Sequence, residues 1–111
     1  MNTKEKRLFS RVPLSTDVYF EDEKGDRLFY VKSRDISMGG LFLEGELPLV
    51  TGTLLFISFA LPGHKRFLRM TAEVVRQAGW GVGVRFAGLS ESSRRWLEDF
   101  LMRSKGREER A

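Results

Sequence analysis

The chain has 111 residues, which is room for one domain with a single hydrophobic core. It has no cysteine, which excludes disulfides and cysteine-bound metals and favours a cytoplasmic location. Nineteen basic residues against fifteen acidic ones give a net charge of +4, and thirteen of the basic residues are arginine. Because the planar guanidinium group suits phosphate oxygens and the O6/N7 edge of guanine, this composition fits an anionic ligand without specifying one.

The chain begins with a basic segment, residues 1–11, in which Lys6, Arg7 and Arg11 lie among few apolar residues. We interpret it as a flexible arm, because little in it could pack except Leu8 and Phe9. It also lacks the apolar core of a signal peptide. No apolar stretch approaches the roughly 20 residues that cross a bilayer, so no membrane insertion is predicted.

From Pro13 onward, alternating apolar and polar residues predict β-strands. In the strongest of them Leu55, Ile57 and Phe59 form one apolar face, and the other face also looks suited to partial burial. The predicted strands include Val18 and Phe20 and then cover Leu28–Asp35, Leu41–Leu43, Thr53–Leu61, Phe67–Val75 and Trp80–Phe86.

Only the end of the chain has helical periodicity. Trp96, Leu97, Phe100 and Leu101 recur on one face, and Ser90 is a suitable N-cap. The predicted fold is therefore an all-β, six-stranded antiparallel barrel with one C-terminal α-helix. The expected division is an arm at 1–11, a domain at 12–104 with its helix at about 90–103, and a disordered tail at 105–111.

The sequence offers little for catalysis. The single histidine, His64, lies in a predicted turn, and there is no cysteine to serve as nucleophile or metal ligand. No metal and no cofactor are predicted. A carboxylate-only enzyme built from Asp17, Glu73 and Asp99 stays open as an alternative.

Two short patterns are candidates for ligand binding. The first pairs Arg7 with Arg11 in the basic arm. The second consists of Asp35, Ser37, Gly39 and Gly40. Each also has a structural interpretation, because solvated arginines are common and such a turn can hydrogen-bond its own backbone.

The order of these patterns resembles the PilZ domain family. RLFSR at 7–11 is similar to the family's Arg-x-x-x-Arg element, and DISMGG at 35–40 is similar to its Asp/Asn-x-Ser-x-x-Gly element. GWGVGVRF at 79–86 resembles a late glycine-rich strand of the family, and the likeness spans roughly residues 6–102. The resemblance implies a barrel that binds cyclic di-GMP and does no catalysis itself.

The resemblance implies a ligand site at Arg7, Arg11, Asp35, Ser37, Gly39 and Gly40, with Lys6 and Trp80 as secondary candidates. The residue types suit the ligand, because arginines bind phosphate or guanine whereas a carboxylate accepts hydrogen bonds from guanine N1–H and N2. Asp35 would repel a bare phosphate. Arg34 is expected to point away from Asp35 if the strand is regular.

The predicted function is a cyclic di-GMP receptor and adaptor. Ligand would order the arm over the barrel and create a surface for an unidentified downstream protein.

The chain is expected to be a monomer or weak dimer, with one ligand or an intercalated pair. The alternatives are a PilZ-like protein-interaction domain that binds no nucleotide and a small barrel that binds single-stranded nucleic acid. No nucleic acid partner is expected, because most of the phenylalanines fall on predicted core faces.

Overall fold

The computed structural model describes residues 11–23, 25 and 28–110, with residues 105–110 described by their backbone alone. The predicted arm lies outside the described residues except for Arg11, and so do Lys6 and Arg7. The described chain forms seven strands and then one helix. These are β1 (Val12–Pro13), β2 (Asp17–Asp22), β3 (Leu28–Ile36), β4 (Gly40–Glu44), β5 (Leu54–Ala60), β6 (Phe67–Ala78), β7 (Gly81–Gly88) and α1 (Glu91–Arg110).

Six of these strands close into an antiparallel barrel. Along the sheet, β3 pairs with β2, then β5, β6, β7 and β4 follow, and β4 pairs back onto β3. The two-residue strand β1 extends the sheet beside the end of β3, with Val12 opposite Ile36. The predicted barrel with one C-terminal helix is therefore confirmed.

Alternation along the strands places the core inside the barrel. Val18 and Phe20 of β2 are buried, as are Leu55, Ile57 and Phe59 of β5. These side chains share one face of their strands because successive residues point to opposite sides of a sheet.

Helix α1 adds to this core from outside the sheet. Leu97 is fully buried, and Trp96 and Phe100 are partly buried against the core cluster. The predicted N-cap is present, since the hydroxyl of Ser90 accepts a hydrogen bond of 3.1 Å from the amide of Ser93.

One expectation about element limits is wrong. The helix does not end near residue 103 but runs to Arg110, through residues assigned to a disordered tail. A glycine such as Gly106 costs a helix only about 1 kcal/mol relative to alanine, so it need not end one. The second face of β5 is partly buried, as expected, because Ser58 and Ala60 are half-buried while Leu54 is 42% and Phe56 49% exposed.

Candidate functional site

The DISMGG segment lies where β3, β4, β7 and β6 run side by side. On the outer surface Asp35 of β3 lies opposite Phe42 of β4, Phe42 lies opposite Gly83 of β7, and Gly83 lies opposite Arg76 of β6. Arg11 reaches this row from just before β1. We define the arginine face as Arg11, Arg34, Asp35, Phe42 and Arg76.

Asp35 is held by two arginines. Arg11 Nη1 lies 2.6 Å from Oδ1 of Asp35, and Arg34 Nε donates to Oδ2 at 3.0 Å. The Asp35 side chain is 15% exposed, so the carboxylate is largely covered by its own partners. The structure thus brings together Asp35 and Arg11, one residue from each predicted motif.

The position of Arg34 corrects the sequence interpretation, which directed it away from Asp35. The pairing of β3 with β4 shifts register between Ser33 and Asp35, which places an extra residue, Arg34, in a bulge. A bulge interrupts the alternation of side chains, so neighbouring residues can lie on one side. No regular strand pattern could have shown this.

Phe42 is the second residue that sequence reasoning missed. It lies on the outer side of β4, yet it is fully buried. The guanidinium carbon of Arg34 lies 4.1 Å from the centroid of its ring, and that of Arg76 lies 5.6 Å away. The ring of Trp80 lies 6.4 Å away, between centroids. The available signal was that β4 is apolar on both faces, with Phe42 between Leu41 and Leu43.

The turn after β3 gives Ser37 a backbone partner. Ser37 is 2% exposed, and its hydroxyl accepts a hydrogen bond of 3.1 Å from the amide of Gly39. Its amide donates to the carbonyl of Gly40 at 2.9 Å. This is the structural interpretation that the sequence left open, and the ligand roles of Ser37 and Gly39 stay predictions.

Gly40 is required by strand pairing. A Cβ atom at this position would lie 1.9 Å from the carbonyl oxygen of Val84 on β7. A Cβ at Gly81 would similarly lie 2.1 Å from the carbonyl oxygen of Leu43 and 2.6 Å from the ring of Phe42. Both glycines therefore allow the close approach of β4 and β7 under the arginine face.

Trp80 lies in the turn between β6 and β7 and is 61% exposed. It contacts Phe42 from the rim of the arginine face and is not part of the core. Its exposed ring leaves it able to stack on a base, so its secondary ligand role stays a prediction.

The three acids of the enzyme alternative are not brought together. Asp17 pairs with Lys32, Glu73 with Arg85, and Asp99 with Arg103, on three different elements. Within residues 11–23, 25 and 28–110, no cluster of three histidine or acidic side chains could hold a metal ion. In the same part of the chain, no helix is both long and apolar enough to cross a bilayer.

A second cluster lies elsewhere on the outside of the barrel. We define the tyrosine face as Asp17, Tyr19, Tyr30, Lys32 and Phe67. The ring of Tyr19 lies 5.2 Å from that of Tyr30 and 6.1 Å from that of Phe67. The hydroxyl of Tyr30 donates to Oδ1 of Asp17 at 2.6 Å, and Lys32 forms an ion pair with the same oxygen.

These contacts shift the pKa values of all three groups. Hydrogen bonds from Lys32 and then Tyr30 lower the pKa of Asp17, because they favour its charged form. The hydrogen bond to Asp17 raises the pKa of Tyr30 and that of Lys32. Each group donates a proton to Asp17, and this hydrogen bond is lost when the group is deprotonated.

Two clefts lie away from the arginine face. One, of about 250 Å³, lies between the β5–β6 turn and α1 and includes His64 and Trp96. The other, of about 550 Å³, is an open groove beside the tyrosine face that includes Tyr19 and Phe56. Neither cleft includes a residue of the arginine face.

The fold and the site define a small closed barrel with an arginine-lined outer face. The sequence pattern of the PilZ domain matches residues 5–103, and the chain belongs to the PilZ domain family. No significant match to a curated protein sequence is found.

Solved structures show the same fold. The chain is similar to the inhibitor of motility MotI (DgrA) of Bacillus subtilis, at 19% identity and a TM-score of 0.76, over 87% of this chain and 50% of that one. It thus spans about half the length of MotI. It is also similar to the PilZ domain of YcgR from Escherichia coli, solved with cyclic di-GMP, at 17% identity and a TM-score of 0.71, over 92% of each chain. A third is PlzA of Borreliella burgdorferi in complex with cyclic di-GMP, at 12% identity and a TM-score of 0.58, over 90% of this chain and 37% of that one.

Proposed function

We propose that this chain is a cyclic di-GMP receptor whose ligand lies on the arginine face. Membership of the PilZ family and the cyclic di-GMP complexes of YcgR and PlzA support the choice of ligand. The observation that carries the proposal is the Asp35 carboxylate, which lies on the outer surface of the barrel, largely covered by Arg11 and Arg34. The proposal contains no catalytic step.

The chemistry of this cluster suits guanine. A carboxylate has about four lone-pair sites, and the two arginines bind one oxygen each, so acceptor capacity remains for N1–H and N2 of a base. The arginines supply positive charge for phosphate and donors for O6 and N7. A phosphate alone would be repelled by Asp35, whereas a guanine nucleotide uses both charges.

The proposed response is ordering of the arm. Arg7 lies outside the described residues, and Arg11 already contacts Asp35 at the start of the barrel. Ligand phosphates would draw Arg7 and Arg11 onto the same molecule, folding the arm over the base. The surface formed in this way would be recognised by a downstream protein, as in other order–disorder switches.

Calorimetric titration of cyclic di-GMP into the wild type, Arg11→Ala and Asp35→Ala tests the proposal. We expect micromolar or tighter binding by the wild type and its loss in both variants. Asp17→Asn is the matched control, because it removes another outer-surface carboxylate, on the tyrosine face. We expect this variant to bind cyclic di-GMP with wild-type affinity. No binding by folded wild type contradicts the proposal and favours a domain that works by protein contact alone. Tighter binding of a single-stranded oligonucleotide contradicts it in favour of a nucleic-acid barrel.

A further inference from the structure

We infer that the ligand surface extends from Asp35 across β4 and β7 to β6, and that Arg34 and Arg76 contact the cyclic dinucleotide. Both guanidinium groups lie on the ring of Phe42, outside the two sequence motifs. The inference rests on the proposed function and adds residues to its site.

The burial of Phe42 is the first observation. The ring points to the outside of the barrel, where strands normally carry polar residues, yet it is 0% exposed. Its cover is made of the guanidinium groups of Arg34 and Arg76 and the ring of Trp80. The ring of Phe42 thus makes cation–π contacts with two guanidinium groups, which it positions on the outer surface.

Arg34 is fixed in orientation as well as in place. Phe42 lies 4.1 Å below its guanidinium carbon, and Nε donates to Asp35 at 3.0 Å. The Arg34 side chain is still 43% exposed, so the group is open to a ligand. A guanidinium plane can stack on a purine, and a group held in advance loses less conformational entropy on binding.

Arg76 reaches the same ring from the opposite side. It lies opposite Gly83, and the absent side chain of this glycine leaves a bare strand between Arg76 and Phe42. Among the described residues Arg76 forms no ion pair, whereas Arg34 and Arg85 each bind a carboxylate. An exposed guanidinium without a carboxylate partner is suited to a phosphate of the ligand.

The competing explanation is that these arginines only cover Phe42. It predicts a loss of thermal stability on substitution without a change in affinity. Binding and unfolding must therefore be measured on the same variants.

The experiment is calorimetric titration of cyclic di-GMP into the full chain as wild type, Arg34→Ala, Arg76→Ala and Arg69→Ala. Arg69 is an exposed arginine of β6 away from Phe42, so it controls for net charge. We expect the dissociation constant to rise about tenfold or more for Arg34→Ala and Arg76→Ala, the loss expected for a charge-assisted contact. Arg69→Ala should stay within about twofold, because a distant exposed charge is screened by salt.

The outcomes separate the inference from the proposed function. If the wild type binds and Arg34→Ala and Arg76→Ala match Arg69→Ala, the inference is wrong and the proposed function stands. If the folded wild type does not bind, the proposed function is wrong. Arg34→Lys adds a test of stacking, because an ammonium group keeps the charge without the plane. We expect it to bind as weakly as Arg34→Ala, and wild-type affinity would overturn the stacking role.

Tryptophan fluorescence gives an independent readout. The chain has two tryptophans, and Trp96→Phe leaves only Trp80, at the rim of the arginine face. We expect cyclic di-GMP to change the Trp80 emission saturably, and Arg76→Ala in this background to shift the curve to higher concentration. Unchanged emission at a ligand concentration that saturates calorimetric binding would place the ligand away from Phe42 and overturn the inference.

Discussion

The arginine face and the tyrosine face each hold an aspartate on the outside of the same barrel, but they hold it differently. Asp35 is bound by two arginines and is 15% exposed. Asp17 is bound by Lys32 and Tyr30 and is 43% exposed. The first arrangement offers planar donors and a covered carboxylate, whereas the second is a solvated cross-strand cluster of the kind that sheets commonly carry.

The two faces also differ in how much of the fold they need. Asp17, Tyr19, Tyr30 and Lys32 are neighbours in the β2–β3 hairpin, so local pairing assembles most of the tyrosine face. In the arginine face the β3–β4 hairpin supplies Arg34, Asp35 and Phe42. Arg76 of β6 joins them only through β7, so the face is complete only when the barrel closes. A defect in barrel closure should therefore damage the arginine face first.

The largest expected effect follows from the β4–β7 contact. Gly40→Ala places a Cβ 1.9 Å from a backbone oxygen, so β4 must move away from β7. We expect a loss of about 3 kcal/mol or more of unfolding free energy, beyond ordinary overpacking, and loss of cyclic di-GMP binding. Chemical denaturation followed by circular dichroism measures the first, and calorimetry the second.

Gly83→Ala is the matched control on the facing strand. A Cβ there would lie 3.6 Å from Arg76 and 3.9 Å from Phe42, which is ordinary contact. Its unfolding free energy should change by no more than about 1 kcal/mol. Equal stability of the Gly40→Ala and Gly83→Ala variants would show that closure between β4 and β7 does not depend on Gly40.

The fold could be predicted because its elements are regular. Alternation identified the inner face of β5 from Leu55, Ile57 and Phe59, and helical spacing identified α1. The two-residue strand β1 is too short to leave a pattern. The end of α1 was also missed, since the tail has charged residues that suit solvent and helix alike.

The site could be predicted only in part. The motifs supplied Arg11 and Asp35, which the structure joins, although Arg7 lies outside the described residues. Arg34 was assigned to the wrong side because a bulge is a property of two paired strands, invisible in either one alone. Arg76 is more than thirty residues from Phe42 in the chain, and only strand pairing through Gly83 brings them together.

A smaller effect is expected at Ser33, which ties β3 to the segment after β1. Its hydroxyl is buried, donates to the carbonyl of Leu14 at 2.5 Å and accepts from the amide of Thr16 at 3.1 Å. Ser33→Ala leaves both backbone groups without that partner, at a cost of about 1–3 kcal/mol of unfolding free energy. Denaturant unfolding of the purified variant measures the loss.

Ser58→Ala is the control on the side of the barrel that carries the tyrosine face. Ser58 lies opposite Tyr19 and its hydroxyl has no hydrogen-bond partner among residues 11–23, 25 and 28–104. The unfolding free energy should change by less than about 0.5 kcal/mol. Since Ser33 anchors the segment near Arg11, Ser33→Ala should also weaken cyclic di-GMP binding, whereas Ser58→Ala should not. Equal stability of the two variants would contradict the role given to the Ser33 hydrogen bonds.

The smallest expected effect is the pH dependence of the tyrosine face. Because the pKa of Asp17 is lowered, its contacts with Lys32 and Tyr30 stabilise the folded chain at pH values above the ordinary carboxylate pKa. This stabilisation is lost as the pH falls through the lowered pKa. Because the pKa values of Lys32 and Tyr30 are raised, their contacts with Asp17 stabilise the folded chain at pH values below their ordinary pKa values near 10. This stabilisation is lost as the pH rises through the raised pKa values.

Asp17→Asn removes both contributions and provides the comparison. The wild type should melt at a slightly higher temperature than the variant across about pH 5–9, and the difference should shrink at both extremes. Because the cluster is solvent-exposed, the difference should also shrink as salt is added. Melting curves of the two proteins in parallel buffers measure it, and subtraction cancels groups that both share. A difference that grows as the pH falls below 4 would contradict the assignment of the lowered pKa to Asp17.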